Sequence, residues 1–130
     1  GADAVLLIAA CLSPQQTLEF TELSHELGLE VLLEIHTENE LKHYNPNIEM
    51  VGINNRNLKD FKVDLQHSVK LKNLLPENVL SVAESGIYNI QDYLYLKEKG
   101  FDGFLMGEYF MKNTNPAQPF EEFISNIRIE

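Results

Sequence analysis

Polar or glycine residues end four short apolar runs of this 130-residue chain, at points where a buried strand would normally stay apolar. The runs end at Glu34, at Asn54-Asn55-Arg56, at Glu84-Ser85-Gly86 and at Gly107-Glu108. Carboxylates act as general bases, and amide and guanidinium groups bind carboxylates and phosphates. Glycine lets a backbone approach a ligand closely. These residue types predict the site of an enzyme.

Glu34 lies inside the apolar segment Val31-Leu-Leu-Glu34-Ile35. Burying a lone carboxylate costs free energy, so the residue needs a partner or a use. One interpretation is a general base or a group that stabilises a cationic intermediate, and the other is a structural acid paired with a buried Lys or Arg. The segment contains no basic residue, and we favour the functional interpretation.

The segment Asn54-Asn55-Arg56 allows two interpretations that the residue types support about equally. Asn residues at a strand end can form a turn held by hydrogen bonds from side chain to backbone. Asn and Arg also donate hydrogen bonds to a carboxylate, hydroxyl or phosphate of a ligand. A position beside Glu34 favours the second role.

Two turns have the composition of a phosphate-binding site. Gly86 follows Glu84-Ser85 just before a predicted helix, and Gly107 precedes Glu108 in the same way. Free N–H groups at a helix start bind anions, and loops after the last two strands of a barrel often hold a phosphate. The alternative is a pair of simple helix-capping turns. We assign the phosphate contact at the second turn to the backbone of Gly107, because Glu108 has the wrong charge.

The apolar runs that carry these groups have the length of buried strands, at residues 4–9, 31–35, 50–53, 79–83 and 103–106. Their uniform apolarity predicts burial on both faces. Helical spacing follows in Leu18, Leu23, Leu27, in Leu65, Val69, Leu71, Leu74, and in Ile90, Tyr93, Leu94, Leu96. We expect Ser13-Pro14 to begin the first helix, Gly28 and Gly100 to end helices, and a last amphipathic helix to contain Phe120, Phe123, Ile124 and Ile127.

A strict alternation of strand and helix predicts an α/β fold with a parallel sheet, whose strands bring their carboxyl ends to one face. An eight-stranded (β/α) barrel needs about 250 residues. We therefore interpret residues 1–130 as about five βα units, the C-terminal part of a single barrel domain, and expect further sequence before Gly1. Open sheet edges predict self-association or complementation by a partner chain.

Twenty acidic and ten basic residues give a net charge of −10, which argues against nucleic acid or an anionic membrane as a partner. The apolar stretch at residues 4–12 is too short to cross a bilayer.

A single cysteine, Cys11, fits a cytoplasmic protein and is predicted to be a small core residue. The four histidines lack metal-ligand spacing, and His36 is expected in a surface or loop role. Glu19, Glu22 and Glu26 are expected on solvated helix faces.

With these motifs, the chain resembles the C-terminal part of the indole-3-glycerol phosphate synthase family over essentially all 130 residues. The specific motif is Val51-Gly-Ile-Asn-Asn-Arg-Asn-Leu58. Supporting motifs are Gly1-Ala-Asp-Ala-Val-Leu-Leu-Ile, Gly28-Leu-Glu-Val-Leu-Leu-Glu-Ile35, Val82-Ala-Glu-Ser-Gly-Ile87 and Phe104-Leu-Met-Gly-Glu108. The resemblance implies a (β/α)8 barrel and a lyase of tryptophan biosynthesis. Its substrate is 1-(2-carboxyphenylamino)-1-deoxyribulose 5-phosphate, which undergoes ring closure, decarboxylation and dehydration. No metal or organic cofactor is implied.

The resemblance also implies roles for individual residues. Glu34 matches the catalytic carboxylate of the fifth strand, and Asn54 and Arg56 match groups around the anthranilate and the reacting centre. Glu84 and Ser85 match the polar pair of the seventh strand. The remaining substrate contacts are Leu58 in the aromatic pocket and Gly86, Gly107 and Glu108 in the phosphate loops.

One difference from the family pattern concerns the proton donor. The family's catalytic lysines lie on the second and third strands, whereas the motifs align this chain with the fourth strand onward, and Lys59 and Lys62 match no catalytic role. We expect the 130 residues alone to be inactive. Alternatives are a non-catalytic half-barrel that binds a phosphate ester or complements a partner, and another phosphate-binding barrel isomerase or synthase.

Overall fold

The structure is a computed structural model that describes residues 1–56 and 62–127. The strands are β1 (Ala4–Ile8), β2 (Glu30–Ile35), β3 (Met50–Asn54), β4 (Leu80–Glu84) and β5 (Gly103–Leu105). The helices are α1 (Pro14–Glu26), α2 (Leu65–Lys72), α3 (Ile90–Glu98), α4 (Gly107–Met111) and α5 (Ala117–Ile127), and 3₁₀-helices span Ala9–Cys11 and Glu38–His43. All five predicted strands and the predicted helices are confirmed.

The five strands form one parallel sheet whose spatial order, β1-β2-β3-β4-β5, is the order of the chain. Each connection therefore crosses to the next neighbour in the same direction, and right-handed crossovers place the helices on one face. A doubly wound sheet would reverse its order at a switch point, whereas a barrel wall does not. The topology confirms the predicted fold class, a (β/α) barrel of which this chain forms about five units.

The two faces of the sheet differ in burial. On the helix-covered face Val31, Leu33, Val51 and Ile53 are fully buried. On the other face, β1, β4 and β5 carry half-exposed leucines: Leu6, Leu80 and Leu105. The expectation of burial on both faces is therefore confirmed for most residues of β2, β3 and β4, and it was wrong for the edge strands β1 and β5, because the helices protect only one face.

Helix α1 begins and ends where the sequence predicts. Ser13 caps it in a reciprocal capping box, Pro14 is its first residue, and Gly28 follows with φ +74°. Its buried face, however, consists of hydroxyl residues, because Thr17 and Thr21 are fully buried and donate to the carbonyls of Ser13 and Thr17.

The leucines whose spacing predicts this helix do not form that buried face. Leu23 is 50% exposed and Leu27 68% exposed. Periodicity identified the element correctly but not the side that meets the sheet.

The connection from β2 to β3 contradicts the expected alternation, because it contains a 3₁₀-helix, Glu38–His43, in place of an α-helix. Thr37 and Glu40 start this helix with a capping box. Asn45-Pro46 follows it closely, and proline disfavours helical backbone at the residue before it.

The prediction that Cys11 is a small core residue was also wrong, since the residue is exposed at the end of the 3₁₀-helix after β1.

Candidate functional site

A pocket of about 320 Å³ opens at the carboxyl ends of β2 to β5. It brings together every predicted site residue within the described part of the chain: Glu34, Asn54, Arg56, Glu84, Ser85, Gly86, Gly107 and Glu108. The predicted contact Leu58 lies outside the described residues. The neighbouring Asn57 and Lys59 also lie outside them.

Glu34 is the buried carboxylate of this pocket, with 8% of its surface exposed near the end of β2. Its Oε1 accepts a hydrogen bond from Nδ2 of Asn54 at 3.0 Å. The Asn54 Oδ1 accepts from the backbone N–H of Arg56 at 3.0 Å. The backbone donor fixes which way the Asn54 amide faces, so its N–H group points at Glu34. Asn54 thus closes a turn and orients a site carboxylate at the same time.

Asn55 has a different, structural role. Its Nδ2 donates to the carbonyl of Ser85 at 2.8 Å, and its Oδ1 accepts from the hydroxyl of Ser68 on α2. Its backbone N–H donates to the carbonyl of Glu84 at 2.8 Å. These bonds join the ends of β3 and β4 to each other and to α2, which holds the pocket turns in register.

Glu84 is the second buried carboxyl group, with 5% of its surface exposed. Its Oε1 has no hydrogen-bond partner among the described residues. Burial, together with the nearby negative charge of Glu34, raises the pKa of Glu84 to about 8. Glu84 is therefore mainly protonated at neutral pH, whereas an exposed glutamate would be ionised.

Arg56 crosses the mouth of the pocket to Glu108, with 2.6 Å between its Nη2 and Oε2 of the acid. The same Nη2 donates to the hydroxyl of Tyr88 at 3.2 Å. The hydrogen bond to Glu108 raises the pKa of Arg56 above its already high value, so the guanidinium remains charged. The Glu108 side chain is 60% exposed, so this ion pair is solvated and an anionic ligand can compete for Arg56.

The turn after β4 requires glycine at its second position. Ser85 and Gly86 both have left-handed backbone, with φ +63° and +69°. A Cβ on Gly86 would also overlap Cγ1 of Val63. Helix α4 begins at Gly107, and Met106 at its N-cap makes no side-chain hydrogen bond to the first turn. The two predicted glycine turns, at Gly86 and Gly107, both line the pocket.

Sequence reasoning missed several residues that line the pocket: Ile87, Tyr88, Leu105, Met106 and Tyr109. Alternation along β5 could have found Leu105, because it lies two residues before Gly107 and two after Gly103, with the period of one strand face. Tyr88 carries no such signal, since its contact with Arg56 joins positions 32 residues apart.

His36 lies in the loop after β2, as expected, and lines a separate pocket with His67. The two rings are 6.4 Å apart, and the Nε2 of His67 contacts the carbonyl of His36 at 2.9 Å. Glu19, Glu22 and Glu26 are exposed on α1, as predicted. Within residues 1–56 and 62–127, no group of three His, Cys, Asp or Glu side chains is arranged to hold a metal ion.

The strand order and a polar pocket at the carboxyl ends of the strands define the class, a (β/α)-barrel protein, of whose sheet this chain forms five strands. The family model for indole-3-glycerol phosphate synthase matches residues 1–123. The chain belongs to the indole-3-glycerol phosphate synthase family.

Curated relatives agree with this assignment. An indole-3-glycerol phosphate synthase of Bacteroides thetaiotaomicron is 48% identical over 128 residues, which are 98% of this chain and 49% of that protein. Those of Chlorobaculum tepidum and Acinetobacter baylyi are 50% and 47% identical, covering 91% and 93% of this chain and 46% of each relative. The chain thus spans about half the length of the curated relatives it matches. Across the two described ranges, no helix has the length and apolar character needed to cross a bilayer.

Proposed function

We propose that this chain supplies one wall of an indole-3-glycerol phosphate synthase site. The reaction is the ring closure, decarboxylation and dehydration of 1-(2-carboxyphenylamino)-1-deoxyribulose 5-phosphate in tryptophan biosynthesis. The observation that carries the proposal is the pocket at the carboxyl ends of β2 to β5, which gathers three carboxyl groups, an amide, a guanidinium and two glycine turns. Its volume of about 320 Å³ is at the lower end of the range for small-molecule sites.

The contacts support a division of roles. Glu34, oriented by Asn54, serves as a base or stabilises positive charge that develops on the substrate. Arg56 exchanges Glu108 for an anionic group of the substrate. Ser85 and Glu84 contact the reacting part, while the backbone at Gly86 and Gly107 holds the phosphate. Leu58 completes the aromatic pocket in this proposal.

The proton donor belongs to a different part of the barrel in this proposal. Besides the protonated Glu84, the described pocket contains carboxylates, one amide and Arg56, and the family pattern assigns the donor for the sugar carbonyl to lysines on strands that precede the matched motifs. We therefore propose that the 130 residues, prepared alone, show no synthase turnover. We also propose that the open edges at β1 and β5 are the surfaces through which the chain meets further strands or a second copy, and that the protein works in the cytoplasm.

A chimeric protein tests the catalytic proposal. The part of the Bacteroides thetaiotaomicron synthase that precedes its matched region is joined to residues 1–130, and formation of the indole product is followed by fluorescence. We expect turnover from the chimera and none from the 130 residues alone. Glu34→Gln in the chimera should lower kcat by on the order of a hundredfold or more, because it removes the base and keeps its size.

The matched control is Glu19→Gln, which removes a carboxylate from the exposed face of α1 and should leave kcat unchanged. A folded chimera without turnover would contradict the proposal. So would full activity after Glu34→Gln, or turnover by the 130 residues at the rate of the chimera.

A further inference from the structure

We infer that Gly52 is a positioning residue, which lets the carboxyl group of Glu84 lie over β3 against Glu34 so that the two acids form a pair holding one proton. The pair follows from the geometry of three neighbouring strands. Its use in catalysis rests on the proposed function.

The space above Gly52 is filled by the side chain of another strand. A Cβ on residue 52 would overlap Oε1 of Glu84 and lie 2.7 Å from its Cδ. Real Cβ atoms essentially never come so close to another heavy atom, so any side chain at this position displaces the Glu84 carboxyl. The backbone of Gly52 is ordinary strand, and the glycine is therefore required for space.

The strand register explains why this space leads to Glu34. Gly52 lies opposite Glu34 on β2, whereas Glu84 on β4 lies opposite Asn54, two residues further along β3. The Glu84 side chain leans back across β3 and places its carboxyl over the one residue of β3 that has no side chain. Glycine at position 52 thus opens the path between the two acids.

The chemistry of the buried pair requires a shared proton. Two carboxylates in contact inside a protein cannot both remain ionised, so one keeps a proton near neutral pH. Asn54 donates to Glu34, which favours the negative charge there. Oε1 of Glu84 is buried without a partner in the described part of the chain, and the pKa of Glu84 is raised to about 8. The proton therefore lies mainly on Glu84.

The other charged or titratable groups that line the pocket approach from different elements. Arg56 follows β3, Tyr88 follows β4, and Glu108 and Tyr109 belong to α4. Arg56 is held at the mouth by Glu108. The two buried glutamates are therefore left facing each other at the inner end of the pocket.

The titration of Glu84 measures the pairing directly. In the 130-residue chain with ¹³C-carboxyl glutamate, the Glu84 resonance is identified by its loss in Glu84→Gln and followed against pH. We expect a midpoint near 8 in the parent chain. Gly52→Ala should lower it by about one unit or more, a tenfold loss of proton affinity, because the displaced carboxyl leaves Glu34.

The matched control is Gly103→Ala. Gly103 lies on β5, and the atoms nearest to a Cβ there belong to the Val82 side chain, at 3.3 Å or more. This variant should leave the Glu84 midpoint unchanged. A midpoint in Gly52→Ala equal to that of the parent chain would overturn the inference, and so would an equal shift in Gly103→Ala.

A double-mutant cycle keeps the inference testable if Gly52→Ala unfolds the chain. Glu84→Ala removes the group that a Cβ at position 52 would strike, leaving Cδ1 of Leu32 at 3.3 Å as the nearest remaining neighbour. Gly52→Ala should therefore lower the urea midpoint much less in the Glu84→Ala background than in the parent chain. Equal losses in the two backgrounds would overturn the contact.

The chimeric enzyme then connects the pair to catalysis. Gly52→Ala should shift the pH profile of kcat/KM, whereas a merely structural role would lower activity at all pH values alike. An inactive chimera would contradict the proposed function and leave the titration of Glu84 intact as a test of the pair, so the two failures are distinguishable. An active Gly52→Ala chimera with the pH profile of its parent would overturn the positioning role.

Discussion

Glu84 couples the stability of the fold to pH in an unusual direction. Its pKa is raised in the folded chain to about 8, from an ordinary value of 4.5, by burial and by Glu34. Between these two values the folded state holds a proton that the unfolded state releases. Stability contributed by this group is therefore fully present below about pH 4.5 and is lost as the pH rises through about 8.

This linkage predicts a pH-dependent effect of Glu84→Gln, because glutamine stays neutral at every pH. The variant should gain stability relative to the parent chain as the pH rises from about 5 to about 9, by on the order of a few kcal/mol over the window. Urea unfolding of both proteins at several pH values checks this. Glu22→Gln on the exposed face of α1 is the control and should show no such trend. A constant difference between parent and Glu84→Gln would mean that Glu84 titrates normally in the fold.

At the scale of elements, the predictions that succeeded depend on local signals. Apolar runs located all five strands, and Ser13-Pro14 and Gly28 located the ends of α1, because capping and backbone conformation are properties of neighbouring residues. The face of α1 depends on what packs beside it. The hydroxyls of Thr17 and Thr21 donate to backbone carbonyls one turn earlier, so these residues can be buried. Hydrophobic periodicity therefore did not predict that polar residues form the buried face of α1.

The site follows the same division between local and long-range signals. Strand ends and motifs predicted the residues of the pocket, since the carboxyl ends of parallel strands meet on one face. The position of the Glu84 carboxyl group above Gly52 was not predictable from the sequence. It depends on the register of β3 against β4 and on the Glu84 side chain, which extends back over β3 by two residues. The role of Asn55 was not predictable either, since its amide donates a hydrogen bond to the carbonyl of Ser85, 30 residues away.

Asn55 gives a prediction at this scale, because it joins the ends of β3 and β4 to α2. Asn55→Ala removes the amide that contacts the Ser85 carbonyl and the Ser68 hydroxyl, although that hydroxyl keeps the Leu65 carbonyl as an acceptor. Loss of these hydrogen bonds, which leaves the Ser85 carbonyl without its side-chain donor, should lower the free energy of unfolding by about 2 kcal/mol. Asn78→Ala, at an exposed position, should change it by less than about 0.5 kcal/mol. Similar values from chemical denaturation of the two variants would show that the join does not stabilise the fold.

At the scale of the whole molecule, the described chain has two open sheet edges, at β1 and β5. On the first edge strand Leu6 exposes apolar surface, as do Phe20 and Leu23 on α1 and Leu27 at its C-cap. On the second edge strand Leu105 does the same, and Met111 of α4 and Phe120 of α5 are exposed as well. Unpaired strand edges next to apolar side chains are favourable surfaces for association. The net charge of −10 opposes this association through mutual repulsion, and salt screens that repulsion.

These opposing terms predict that the 130-residue chain associates with itself, more strongly as salt is added. Sedimentation equilibrium over a range of concentrations should give a mass above that of one chain. Leu6→Glu should reduce the association, because it places a charge on the edge strand β1, on the face of the sheet that the helices do not cover. Leu74→Glu alters a leucine of similar exposure in the connection between α2 and β4 and should have no effect. A monomer at all concentrations and salt levels would show that the edges do not drive association. An equal effect of the two variants would place the contact elsewhere than at β1.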